Sequence, residues 1–401
     1  MNAPMTVPMA TNRGLLDRVY RHIHQQPVDN DVALLSGQMG YALLEAYANR
    51  YFGQTDDSRI WERVAVSLDA VQNGELIHSF AGGMAGVAWG FLHLCNHGLL
   101  QTDELDAQDI VADLDEPLFE LSLEQLQKGD YDYLHGGLSA ALYFLERRPS
   151  AAITRYIERL VKGLSDTAIR FPNGDITWSF DDFGRRKAGQ SMVYNPSLSH
   201  GTASIVSILS LFYERNYAKR TCAELIQGTL QWMWNHRNRS GKSLFPTVLT
   251  DVREDHDSRL SWCYGDLGIA NAFWLCGQKL EYAPWRAIAR EMLLKAARRR
   301  ELEDTHVYDA GLCHGSTGVA HLFRRLARQF PHPLLTEAAD YWMQQTPSYA
   351  LSAPDENVFL AYDSGKYAPN LGLLDGESSI GLVLLAELGA PMDWERFLLL
   401  S

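Results

Sequence analysis

The chain has 401 residues, 46% of them apolar and 21% charged, and a formal net charge of −13. This is the composition of a globular protein with a large core. The acidic balance, with no basic run beyond Arg298–Arg300, speaks against nucleic acid as a partner. No apolar run approaches about 18 residues, so no transmembrane helix is expected.

Met1 to Thr11 is rich in Pro and Ala, with no basic start and no apolar centre. It reads as a disordered lead-in rather than a signal peptide. Residues 12–401 read as a single domain. From there one pattern keeps returning: Gly, two residues, then Gly or another small residue, then an apolar stretch with helical spacing. It starts at Gly37, Gly83, Gly137, Gly201, Gly265, Gly315 and, more loosely, Gly376. Self-similarity of this kind marks repeated supersecondary units. Amphipathic stretches lie between the copies, as at Ala152–Leu164, Lys219–Trp234 and Trp285–Arg299. Their charges should face water, while the small, apolar Gly-started helices should be buried. Seven inner and seven outer helices give an all-α chain. Without polar end caps, the expected form is a closed α/α toroid rather than a linear solenoid.

Two stretches break the helical pattern. Phe171–Phe180 carries Asn173-Gly174 among alternating apolar residues, and Ser243–Thr250 is extended in character. Both read as long loops with short β-like insertions over a cavity mouth, spanning 171–198 and 241–260.

Seven glycine entrances converging on one end of a ring would floor a shared cavity. Gly allows unusual backbone angles and close approach there, or simply tight helix packing. Some copies carry chemistry. Cys263 stands two residues before Gly265, and Cys313 two residues before Gly315, with His314 between. Two thiolates and an imidazole from equivalent places in two repeats suit zinc and leave a fourth position open. Cys95, Cys222 and Cys276 lie among apolar helix residues and read as buried free thiols.

His200 directly precedes Gly201, as His314 precedes Gly315. It would serve as a fourth ligand or as an acid–base group. Asp132, in Tyr131-Asp-Tyr-Leu-His-Gly-Gly137, would cap the following helix, orient an imidazole or take a proton. His135 is nearer the Gly pair and competes with it for the cavity. Asp266 and Asp375 read as first-turn helix carboxylates.

Trp262-Cys-Tyr-Gly-x-x-Gly268 and Cys313-His-Gly-x-x-Gly318 resemble the motifs of the lanthionine synthetase C-like family, the zinc-dependent lantibiotic cyclases. The resemblance spans most of the chain as a repeat pattern. It implies an α/α toroid of seven helix pairs. It also implies an enzyme that joins peptide Cys thiols to dehydroalanine or dehydrobutyrine, giving lanthionine or methyllanthionine thioether rings. By resemblance, Cys263, Cys313 and His314 hold Zn2+, His200 is the catalytic histidine, and Asp132 is the Asp of the Tyr-Asp motif. Two positions depart from the family: Ser204 and Ala140 stand where a second Gly is usual. The implied setting is the cytoplasm, with a dehydrated precursor peptide as substrate and a dehydratase and a transporter as candidate partners. The competing reading is a non-catalytic relative whose zinc binds glutathione or another thiol. A carboxylate-pair glycosidase would leave the Cys/His set idle, and prenyl transfer lacks a basic diphosphate cluster.

Overall fold

A backbone carbonyl seven residues upstream of a helix accepts that helix's first free N–H, and the chain repeats this entrance along its length. In the computed structural model, which describes residues 9–102, 105–179, 192–250, 255–352 and 357–401, Asn195 O accepts from Thr202 N at 2.8 Å. Asp309 O accepts from Ser316 N at 2.9 Å, Asn370 O from Glu377 N at 3.0 Å and Asp31 O from Gln38 N at 2.7 Å. The upstream side chain also turns the loop. Asn195 Oδ1 accepts from Ser197 N, Asp309 Oδ1 from Gly311 N, and Asn370 Oδ1 from Gly372 N. This is the Asx-turn chemistry that favours Asn and Asp in such positions.

The entrance explains its glycine. A Cβ on Gly201 would lie 2.1 Å from Asn195 O, and one on Gly315 would lie 2.3 Å from Asp309 Oδ1. Of the two reasons the sequence offered for Gly, close backbone approach is the one seen at these two positions: the glycine admits the upstream chain.

Among the described residues, seven helices follow the recurring glycines: Gln38–Phe52, Met84–Asn96, Ala141–Glu146, Thr202–Glu214, Asp266–Lys279, Ser316–Gln329 and Glu377–Glu387. They are buried nearly throughout; in Asp266–Lys279 every residue from Asp266 to Gly277 is buried. Seven more alternate with them: Met9–Gln25, Ser58–Gln72, Asp115–Gln127, Ala151–Thr167, Lys219–Asn235, Ala283–Ala296 and Pro333–Gln345. These bury one face. In Ala151–Thr167 the buried set is Ile153, Tyr156, Ile157, Leu160, Val161, Gly163 and Leu164, the three-and-four spacing of a helix with one wet side. Ser150 caps that helix by accepting from Ile153 N, worth about 1 kcal/mol. Residues 9–11 of the expected lead-in begin the first helix, and residues 1–8 lie outside the described residues.

The chain divides into two compact units. The first comprises Met1–Ile77, Ala81–Ala107 and Arg300–Asp393. Its helix Gln38–Phe52 packs against Met9–Gln25, Ser58–Gln72, Met84–Asn96 and Glu377–Glu387, and Ser316–Gln329 packs against Pro333–Gln345. A buried ion pair, Arg63 Nε to Glu45 Oε2 at 2.9 Å, ties two of these helices. Removing either partner would strand a charge, at a cost of about 3–5 kcal/mol. A hairpin, Leu360–Asp363 with Lys366–Pro369, also belongs here.

The second unit comprises His78–Phe80, Gln108–Arg299 and Trp394–Ser401. Thr202–Glu214 packs between Lys219–Asn235 and Asp266–Lys279, the latter against Ala283–Ala296. The two loops singled out in the sequence hold short strands. Ile169–Arg170 pairs antiparallel with Ile176–Thr177, and Val193–Tyr194 pairs with Leu249–Thr250. The second pair joins one loop to the other. Residues 180–191 and 251–254 of these loops lie outside the described residues.

Candidate active site

The third entrance sits one residue earlier than the sequence pattern suggests. Asp130 O accepts from Gly137 N at 3.1 Å, and a Cβ on Gly136 would lie 2.0 Å from Asp130 Oδ1. Gly136, not Gly137, is thus the counterpart of Gly201. Consecutive glycines hid the register. Counted correctly, Ser139 is the counterpart of Ser204 and Ser379, rather than Ala140. All three serines fold their hydroxyl onto the carbonyl of their own entrance glycine. The hydroxyl satisfies a carbonyl locally where the other copies carry a second Gly.

The position directly before each entrance glycine now lines up: His135, His200, Tyr264, His314 and Asp375 occupy it in five successive repeats. All five meet one another or a neighbouring site residue within a unit. His200 Nδ1 lies 2.6 Å from Asp132 Oδ2. The other oxygen of Asp132 accepts from Leu134 N at 2.7 Å and His135 N at 2.8 Å. Both readings of Asp132 therefore apply together, with one oxygen closing the turn and the other holding the imidazole. Asp132 is 3% exposed, so this carboxylate has no competing water shell. The His135 ring lies nearly parallel to the His200 ring, centroids 5.9 Å apart.

Cys263 belongs to the same wall. Its carbonyl accepts from Leu198 N at 3.0 Å, and its Sγ lies 3.4 Å from Ser261 Oγ. The next residue, Tyr264, places its ring 6.3 Å from that of His200. Burial pushes the Tyr264 phenol above its ordinary pKa. Tyr264 was not singled out from the sequence, although its place directly before Gly265 matches that of His200 before Gly201.

In the first unit Cys313 N donates to Leu374 O at 2.9 Å, which brings the next residue, Asp375, beside His314. His314 Nδ1 lies 3.3 Å from Asp375 Oδ1. Asp375 is not the first-turn carboxylate the sequence suggested, since it lies before the Gly376 cap of the Glu377–Glu387 helix; it faces an imidazole that it can orient. Asp266 does sit in a first turn, buried, accepting from Leu244 N and Phe245 N. Burial raises its carboxyl to about 6, against those two N–H donors.

Cys263 in the second unit, and Cys313 with His314 in the first, are Cys/His donors of the kind that hold a metal ion. The donor chemistry fits zinc, since two thiols and an imidazole are borderline-soft ligands. Both thiols are buried, at 7% and 6% exposure. All five cysteines are free of disulfides. Burial pushes the Cys95 thiol to about 11 and that of Cys222 to about 12, which keeps both protonated and inert.

The fold is that of known cyclases. The solved structure of a nisin cyclase superposes with a TM-score of 0.69 over 98% of each chain at 17% identity. This is the α/α toroid, an all-α ring with short strand insertions. A family model described as lanthionine synthetase C-like protein matches residues 28–399, and the chain belongs to that family. The nisin biosynthesis protein NisC of Lactococcus lactis subsp. lactis is 24% identical over 335 residues, covering 78% of this chain and 74% of that one. Among the described residues no helix is long and apolar enough to cross a membrane.

Proposed function

We propose that this chain is a zinc-dependent lanthipeptide cyclase whose residues 12–401 work as one catalytic domain. It would add peptide Cys thiols to dehydroalanine or dehydrobutyrine, closing lanthionine and methyllanthionine rings. The observation that carries this reading is the His200 imidazole held by the buried Asp132 carboxylate and set against the Tyr264 and Cys263 wall, in a chain of this family.

Cys263, Cys313 and His314 are the ligands we assign. Bound there, zinc would supply an open coordination site at which a substrate thiol gives up its proton near neutral pH. His314 offers its Nε2 to the metal, since Nδ1 faces Asp375. The substrate sulfur then bonds to the β-carbon of the dehydro-residue. The π electrons move to the α-carbon and its carbonyl as an enolate. His200 delivers the proton that the α-carbon needs. Asp132 accepts a hydrogen bond from Nδ1–H of His200, which fixes the tautomer, turns Nε2 toward the reaction and stabilises the imidazolium. The thiol loses one proton and the α-carbon gains one, so the ring closes without an external acid or base being consumed.

The substrate of such a reaction is a precursor peptide already dehydrated at Ser or Thr. A dehydratase is therefore the partner class that must act first, and a transporter is a candidate to act afterwards. The compartment we assign is a reducing cytoplasm, where five free thiols persist.

The test is the zinc-loaded protein with a dehydrated precursor peptide, followed by mass spectrometry after thiol capping. Ring closure protects each peptide Cys from the capping reagent. Peptide thiols that stay fully cappable, alongside stoichiometric retention of glutathione by the zinc protein, would establish the non-catalytic thiol-binding reading instead.

A further inference from the structure

Three successive backbone carbonyls in the second unit collect three buried side-chain donors from its site-bearing segments. The 3-10 turn Asp393–Leu398 ends with Leu399 in the left-handed region, at φ +56°. Reverse bonds close it, Leu399 N to Arg396 O at 3.1 Å and Leu400 N to Glu395 O at 3.3 Å. A helical turn that stops there turns its last carbonyls outward, where donors from elsewhere in the chain can reach them. Phe397 O accepts from the Tyr133 hydroxyl. Leu398 O accepts from Trp262 Nε1 at 2.9 Å, and Leu399 O accepts from Asn271 Nδ2 at 3.0 Å. All three donors are buried, so each bond is made without competition from water.

The donors are placed where position matters. Tyr133 directly follows Asp132, and Trp262 directly precedes Cys263. Asn271 lies on the helix that the Gly265 entrance begins. We propose that Phe397–Leu399 is a positioning strap that sets the acid–base pair and the Cys263 wall at a fixed separation. Adjacent carbonyls on one rigid turn act as a template: each residue flanking the site is pinned to the same short piece of backbone. The inference rests on the cyclase reading for its kinetic consequence, but not for its structural one.

The test removes one donor at a time and keeps the ring. Tyr133→Phe and Trp262→Phe are compared with the parent full-length protein well below their melting temperatures. Zinc affinity is read by competition with a chromophoric chelator, and the His200 ring signals are followed by NMR. Cyclisation of a dehydrated peptide is split into kcat and KM. Tyr133→Phe should shift the His200 signals and lower kcat by roughly 10- to 100-fold, as sub-ångström misplacement does, with zinc affinity and KM held. Trp262→Phe should weaken zinc by roughly 10-fold or more, the size of an outer-shell loss. A purely structural role would lower the melting temperature yet leave the His200 signals, zinc affinity and kcat in place; that result overturns the strap. Each variant is decisive alone if the other does not fold. If the parent protein closes no ring, the cyclase reading fails, while the NMR and zinc measurements still decide the strap.

Discussion

Two entrances present a histidine beside a carboxylate, and the differences between them are instructive. In the second unit Asp132 holds His200 at 2.6 Å and is itself fixed by two backbone N–H groups. In the first unit Asp375 approaches His314 at 3.3 Å with its side chain one-third exposed. The residue before the histidine also differs: Ser199 precedes His200, whereas Cys313 precedes His314. On the proposed function, one backbone device serves two chemistries. A tightly held, water-free carboxylate suits an imidazole that changes charge in a reaction. A looser one suits an imidazole that stays neutral and lends a lone pair.

The sharpest break in this comparison comes from the thiols. Cys313→Ala or Cys263→Ala should abolish stoichiometric zinc, measured by elemental analysis of the purified protein. Cys95→Ala, Cys222→Ala and Cys276→Ala should keep it, and chelation of the parent protein should stop ring closure. Next in size is the acid–base pair. His200→Asn should retain zinc and peptide binding while slowing cyclisation by roughly 10²–10⁴-fold. Asp132→Asn should act in the same direction, and the double variant should be little worse than either single one if the two work as a unit. Loss of zinc in His200→Asn would make that histidine a ligand and erase the contrast between the entrances.

A smaller effect should follow from Asp375→Asn, which removes the carboxylate facing His314. Zinc affinity should fall by roughly 10–100-fold, with the His200 NMR signals unmoved. The reverse pattern, normal affinity with a disturbed His200, would exchange the two roles.

The smallest effect concerns stability and not activity. Asp266 keeps its proton up to about pH 6 when folded, against 3.8 as its ordinary value. Between those pH values the folded chain binds more protons than the unfolded one. Stability should therefore fall as pH rises from about 4 to about 6 and level off above, by at most about 3 kcal/mol. Asp266→Asn should remove that slope from a series of denaturant melts taken across the window.

Much of this was legible in the residues because the entrance constraint is severe. A Cβ at Gly201 or Gly315 meets backbone or carboxylate at about van der Waals overlap, so the glycines recur and betray the repeat. The same signal misled at Gly136-Gly137, where either glycine satisfies the pattern and only the Asp130 bond chooses between them. Tyr264 was overlooked and Asp375 misread as a helix carboxylate because their importance lies in what stands across a loop. That depends on bonds such as Leu198 N to Cys263 O and Cys313 N to Leu374 O, which join residues far apart in sequence. The hairpin Leu360–Asp363 with Lys366–Pro369 also escaped notice. Its strands are four residues each, too short for alternation to show, and its turn relies on Ser364 at φ +49° beside Gly365. The division into two compact units leaves no mark on the helical pattern, since both are built from the same repeat.

The entrance has a consequence for how such a chain can change over time. Its geometry is fixed mainly by backbone groups and a glycine: where the residue just before the glycine helps to close the turn, it does so through its own N–H at His135, His200 and Tyr264, and its side chain differs from copy to copy. That residue is Ser36, Gly82, His135, His200, Tyr264, His314 or Asp375 in the seven copies. A hydroxyl, a bare backbone, an imidazole, a phenol and a carboxylate are all accepted in one socket. Substitution there trades reactivity at little expense to folding, so a lineage can explore new chemistry one repeat at a time while the remaining entrances keep the chassis intact.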